Sequence, residues 1–129
     1  MIRSLMVVAA LLGGFTDVAA GQDATKGANV FKQCGIYHAI GAAAQNKIGP
    51  ELNRLDVRHS GRVADFSYSN ANKNSGIVWS EATFKQYIAD PRAKSPGTKM
   101  PFAGLKDPQQ INDVWAFIKQ FNADGSTKN

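Results

Sequence analysis

The sequence predicts an all-α fold. Apolar residues recur at helical spacing in three separated stretches, strict apolar–polar alternation is never sustained, and the segments between the stretches are rich in Gly, Asn, Ser and Pro. The 129 residues, 43% hydrophobic and 19% charged, suit one compact domain rather than a disordered tail or a fully inserted membrane protein.

The chain opens with Arg3 and an apolar stretch from Leu5 through Phe15, too short to span a bilayer, and then the small residues Val18, Ala19 and Ala20. This pattern predicts an export segment, residues 1–20, cleaved after Ala20, with residues 21–129 as a single mature domain. The first helix is expected to start at Asp23 as N-cap and to end just before Cys34, with Ala24, Ala28 and Phe31 on one face and Gly27 permitting close approach of another helix. The second begins at Ser80, carries Glu81 in its first turn, turns Phe84, Tyr87 and Ile88 inward, and must stop before Pro91. The third has Asp107 as N-cap, Pro108 at the first helical position and Gln110 placed to close a capping box. Its buried stripe is Ile111, Val114, Trp115 and Ile118, widened by Phe117 and Phe121. The intervening stretches, Ile40 to Val63 and Pro91 to Leu105, are longer than a compact domain tolerates unless they wrap around something, and a large apolar cofactor would supply the missing core.

Fifteen Lys and Arg against ten Asp and Glu give a net charge of +5, which removal of Arg3 and Asp17 with the export segment leaves unchanged. The basic charges are dispersed and no base-reading motif is present, so no nucleic-acid partner is expected. The single Cys excludes an intramolecular disulfide, and an unpaired thiol in an exported protein points to a covalent cofactor or a reactive thiol.

Chemistry concentrates at Cys34, His38 and Met100. In Cys34-Gly35-Ile36-Tyr37-His38 a thiol precedes an imidazole by four residues, the spacing at which a thioether to a haem vinyl brings the His beneath the iron. Around it stand Lys26-Gly27, Phe31, Ile48-Gly49-Pro50-Glu51-Leu52, Phe66-Ser67-Tyr68-Ser69, Ala71-Asn72-Lys73-Asn74, Gly76-Ile77-Val78-Trp79, Tyr87, Asp90-Pro91 and the run Pro96-Gly97-Thr98-Lys99-Met100-Pro101-Phe102-Ala103-Gly104. In order and spacing these segments resemble the class I c-type cytochromes, the cytochrome c2 branch close to mitochondrial cytochrome c, over nearly the whole mature chain.

The resemblance implies three main helices and long loops around one haem c, with the terminal helices crossing where Gly27 and Phe31 meet Val114 and Phe117. It implies His38 and Met100 as axial iron ligands and Cys34 as the thioether. Pro50 would accept the His ring N–H, and Tyr87 would bond the Met sulfur. Arg58, Tyr68 and Trp79 would donate to the haem propionates, while Asn72 and Thr98 would belong to a buried polar network beside them. With both axial positions filled, the implied function is outer-sphere electron transfer by a monomeric periplasmic carrier, not an enzyme. Its partners would be membrane redox complexes such as a cytochrome bc1-type donor and an oxidase or reaction-centre acceptor. They would dock transiently on Lys32, Lys47, Lys94, Lys99 and Lys106 around the haem edge. His59, in a polar loop, is read as solvent-exposed rather than as a ligand.

Three positions depart from the family pattern. Tyr37 replaces the second attachment Cys, so a single thioether is expected. Arg54 and Val57 replace common glycines, which shifts the loop before Arg58 if those positions require positive φ. The missing thiol also keeps a second reading open, a haemless relative acting as a binding or structural protein.

Overall fold

The computed structural model describes residues 21–128, so the expected export segment lies outside them. Among the described residues five helices follow in order: α1 Ala24–Phe31, α2 Asn70–Lys73, α3 Glu81–Ala89, α4 Pro91–Lys94 and α5 Pro108–Ile118. No strand occurs among the described residues, only isolated bridges such as His59 to Val78. The three longer helices are those the apolar periodicity predicts. The single turns α2 and α4 lie in segments read as loop, because four residues are too few to show a 3.6-residue period.

The helix starts follow side-chain chemistry. Asp23 accepts from the Thr25 and Lys26 N–H groups at 2.9 and 3.1 Å, satisfying donors that the first turn leaves without partners. Asp107 accepts from the Gln109 N–H at 2.9 Å, but the capping box expected from Gln110 does not form there. The reciprocal box closes instead on α3, where Ser80 accepts from the Thr83 N–H at 3.2 Å and Thr83 Oγ1 accepts from the Ser80 N–H at 2.8 Å. A threonine at that position does the work usually assigned to Glu or Gln. Asp90 follows the last residue of α3 and caps α4 through the Ala93 N–H at 3.2 Å, so the chain turns sharply at Pro91.

α1 crosses α5 as expected. A Cβ at Gly27 would collide with the Asp113 carbonyl and lie 2.9 Å from Phe117 Cβ, so only glycine lets these backbones close. Asp113 is buried on the otherwise apolar face of α5 and accepts from the Asp23 N–H at 3.0 Å and the Gln109 amide at 2.9 Å, tying the start of α1 to α5. Phe31 meets Phe117 at 5.2 Å between centroids, and Phe84 of α3 meets Trp115 at 5.1 Å. Val114, Trp115 and Ile118 are each 1% exposed, and burying side chains of this size contributes about 1.5–3 kcal/mol apiece. This frame holds one wall of a crevice, and the loops build the rest.

The loop before Arg58 keeps a left-handed course without its glycines. Arg54 has φ 49° and Val57 φ 67°, the latter an uncommon conformation for a β-branched residue. Hydrogen bonds hold the segment in this conformation: Val57 N–H donates to Trp79 O and Trp79 N–H to Arg58 O, both at 2.8 Å, setting Arg58 beside Trp79.

Candidate functional site: an apolar crevice between two loops

α1 leads straight into the first of the two loops that face each other across the crevice. Cys34 N–H and Gly35 N–H donate to Phe31 O at 2.8 and 2.9 Å, and His38 N–H donates to Cys34 O at 2.8 Å, one tight turn that sets thiol and imidazole on the same side. The His38 Nδ1 lies 2.7 Å from the Pro50 carbonyl. A carbonyl only accepts, so Nδ1 carries the proton and the lone pair resides on Nε2. Gly49 packs flat against the ring: a Cβ there would lie 2.6 Å from Nδ1 and 2.9 Å from Nε2. Burial lowers the His38 pKa, with nearby Arg58 and Lys47 acting in the same direction, so the ring is neutral and able to ligate at neutral pH.

Cys34 is half-buried, and burial pushes its thiol up to about 11, so free it would be a poor thiolate. That weakens the reactive-thiol alternative and leaves the covalent-cofactor one. Tyr37 lines the crevice where the second thiol of the family pattern would stand.

The second loop presents Met100. Tyr87 of α3 donates its hydroxyl to the Met100 sulfur at 3.4 Å, and Trp79 braces the Tyr87 ring edge-on at 5.0 Å between centroids. Met100 N–H donates to Thr98 Oγ1 at 3.2 Å. Burial raises the Tyr87 pKa, keeping it a neutral donor.

At the crevice edge stand Arg58 and Tyr68. Arg58 donates to the Asn53 carbonyl at 2.9 Å and lies 3.6 Å from Glu51, while the Tyr68 hydroxyl accepts from the Val63 N–H at 3.1 Å and keeps its own proton to donate. His59 is exposed, as read from its loop, although it also borders the crevice.

Every site residue inferred from the sequence except Thr98 borders this one crevice, and Thr98 supports it through the Met100 N–H. Sequence reasoning missed Ser95, whose buried hydroxyl donates to Asn72 Oδ1 at 2.7 Å. It also missed Asn53, buried and bonded to both the N–H and the carbonyl of Gly41 at 2.8 and 3.0 Å. A serine before Pro-Gly and an asparagine in a loop carry no periodic signal.

Among the described residues no group of three or more His, Cys, Asp or Glu side chains could hold a bare metal ion. The residues present instead suit a flat, largely apolar macrocycle: Leu52, Leu55, Phe84, Ile88 and Ile118 form walls, a nitrogen and a sulfur donor stand on them, and Arg58 is a cation for a carboxylate. A helical frame with a Cys-x-x-x-His turn and a Met loop on one such crevice defines the class of small covalent-haem proteins.

The chain is 56% identical over 127 residues to a cytochrome c2 of Blastochloris viridis, covering 98% of this chain and 100% of that protein. It is 58% identical over 105 residues to a cytochrome c-550 of Bradyrhizobium diazoefficiens, covering 81% and 77%. Among solved structures, cytochrome cH from Methylobacterium extorquens superposes with a TM-score of 0.70 at 39% identity, over 75% of this chain and 97% of that one. No family model matches the chain. The chain belongs to the class I c-type cytochromes, on the branch of cytochromes c2 and c-550. It is a monohaem electron-transfer protein whose family cofactor is haem c, an electron carrier rather than an enzyme.

Proposed function

We propose that the chain is exported through cleavage after Ala20 and acts in the periplasm as a His38/Met100-ligated carrier whose haem is held by the Cys34 thioether alone. It takes single electrons from a cytochrome bc1-type complex and passes them to an oxidase or reaction centre. One observation carries the ligand assignment: His38, its Nδ1 fixed by Pro50 at 2.7 Å, and Met100, its sulfur bonded by Tyr87 at 3.4 Å, stand on the walls of one crevice. Each donor atom is thus already oriented by a protein group. No described helix is long and apolar enough to cross a membrane.

When bound, haem c supplies the ferric/ferrous couple. The protein's residues tune and shield it. Pro50 keeps the imidazole in the tautomer with Nε2 free and raises its basicity. A thioether opposite an imidazole favours the ferrous state and raises the potential above that of bis-imidazole ligation. The apolar walls exclude water, which keeps reorganisation small. Arg58, Tyr68 and Trp79, which line the crevice, would donate to the haem propionates and offset the cost of partly burying those carboxylates.

The test is the mass of the denatured protein, with haem mass retained in the wild type and lost in Cys34→Ser. Met100→Ala should open a coordination position, bind added imidazole or cyanide readily and lower the potential. Haem extracted from the wild type by acidified organic solvent would overturn the single thioether. An unchanged ferric spectrum and potential in Met100→Ala would overturn the distal ligand.

A further inference from the structure

We infer that a second cavity, beside the crevice, binds a small multivalent oxyanion of the phosphate type and shares a wall with the crevice through which binding is felt at the haem. This cavity is open, has a volume of about 960 Å3 and lies between residues 44–46, residues 51–65 and Ala123. Its walls carry Arg54, Arg58, Arg62 and His59, and no Phe, Tyr or Trp. Such a concavity offers charge and no platform for a stacked base, so it suits a compact anion rather than a nucleoside.

Backbone strain gathers at the same place. Among the described residues four non-glycines have positive φ: Ala43 at 57°, Arg54 at 49°, Val57 at 67° and Asp65 at 60°. The last three line the cavity, and Ala43 adjoins its lining residue Ala44. A left-handed residue with a Cβ costs free energy that glycine does not, and such outliers cluster at functional sites. For Arg54, which stands where the family pattern commonly has glycine, the fold gives no return. Its N–H donates to Phe121 O at 3.1 Å, a bond that glycine would make equally, and its guanidinium has no ion-pair or hydrogen-bond partner among the described residues.

The cavity's charges are unevenly matched. Arg58 is held by Glu51 at 3.6 Å and by the Asn53 carbonyl at 2.9 Å, which answers the Glu51 carboxylate. Arg54 and Arg62 remain, opposed by Asp65, and none of the three forms an ion pair among the described residues. Guanidinium forks match phosphate oxygens in pairs, and an anion of two or more charges answers both free arginines at once. Arg58 and His59 line the crevice as well as this cavity. Negative charge placed against them stabilises ferric iron, so the anion binds the ferric protein more tightly and lowers the potential by linkage.

The experiment titrates the haem-loaded protein with pyrophosphate by calorimetry, at an ionic strength fixed with chloride. One saturable site is expected. Arg54→Gly and Arg62→Gln should each weaken binding about tenfold, the loss expected for a charge-assisted bond. Asp65→Asn should strengthen binding several-fold, whereas Lys128→Gln, which removes the same single charge from the tail, should leave it nearly unchanged. Arg54→Gly should unfold at no lower guanidinium concentration than the wild type, since it relieves the left-handed Cβ. Absence of a saturable site, an equal loss in Lys128→Gln, or an Arg54→Gly protein that binds normally and unfolds earlier would overturn the site, the last by showing that Arg54 serves the loop. Saturating pyrophosphate should lower the midpoint potential of the wild type; binding with no shift would disprove the link across Arg58. Neither readout depends on which residue is the distal ligand.

Discussion

The two loops that face each other across the crevice hold their donors by different means. On the His38 side the supports are main chain: the Pro50 carbonyl at 2.7 Å, the Gly49 backbone flat against the ring, and the Gly49 N–H donating to Tyr37 O at 2.7 Å. On the Met100 side they are side chains, the Tyr87 hydroxyl on the sulfur and Thr98 Oγ1 on the Met100 N–H. A main-chain seat depends little on which side chains surround it. That explains how Tyr37 stands where the family pattern has cysteine while His38 keeps its place. A side-chain seat can be changed one group at a time, so the Met100 side is where the potential of this protein can be tuned.

The sharpest way to break that contrast is a methyl group on each side. Gly49→Ala puts a Cβ 2.6 Å from His38 Nδ1, so the ring must leave its bond to Pro50 or the loop must move. Such overpacking costs about 1–3 kcal/mol, and the ferric spectrum should show disturbed ligation. Gly97→Ala, in the Met loop, brings a Cβ only into ordinary contact with Ala71 at 3.7 Å, but at φ 87°. It should cost about 1–2 kcal/mol of backbone strain in guanidinium unfolding and leave the spectrum unchanged. Equal spectral effects from the two substitutions would mean that both donors are held in the same way.

The same contrast explains what was legible in the sequence. The helical frame was readable because Ile111, Val114, Trp115 and Ile118 repeat with the helix and Asp23, Ser80 and Asp107 announce its starts. The site residues were reached through resemblance, since Pro50 and Gly49 act through main-chain atoms that leave no chemical mark on a sequence. Ser95, Asn53 and Asp113 were missed because a buried polar group is recognisable only once its partners are known. The left-handed Arg54 and Val57 were flagged only by comparison with glycine, and the bonds from the Val57–Ser60 segment to residues 77–79 that hold it come from a distant segment.

The smallest expected effect concerns the lysines expected to meet a partner, of which Lys99 borders the crevice. Lys32, Lys47, Lys94, Lys99 and Lys106 are all exposed, though Lys47 donates to Gly35 O at 2.7 Å and Lys106 to Ala89 O, so these two are less free to meet a partner. Lys99 adjoins the distal donor and, with the chain at +5, should help steer an acidic partner toward the crevice. Rim charges act mainly on the association rate and are screened over about 10 Å at 0.1 M salt. Lys99→Glu should therefore slow electron transfer to an anionic acceptor several-fold at low salt, with the deficit closing as salt rises, whereas Lys128→Glu in the tail should have a smaller effect. Lys32→Glu, on the His38 side, sharpens the comparison: a deficit equal to that of Lys99→Glu would mean that a partner spans both loops, and a smaller one that it favours the Met100 side. Stopped-flow rates across a salt series measure all three. A flat or rising salt dependence, or equal effects from Lys99 and Lys128, would show that the crevice rim is not where partners dock.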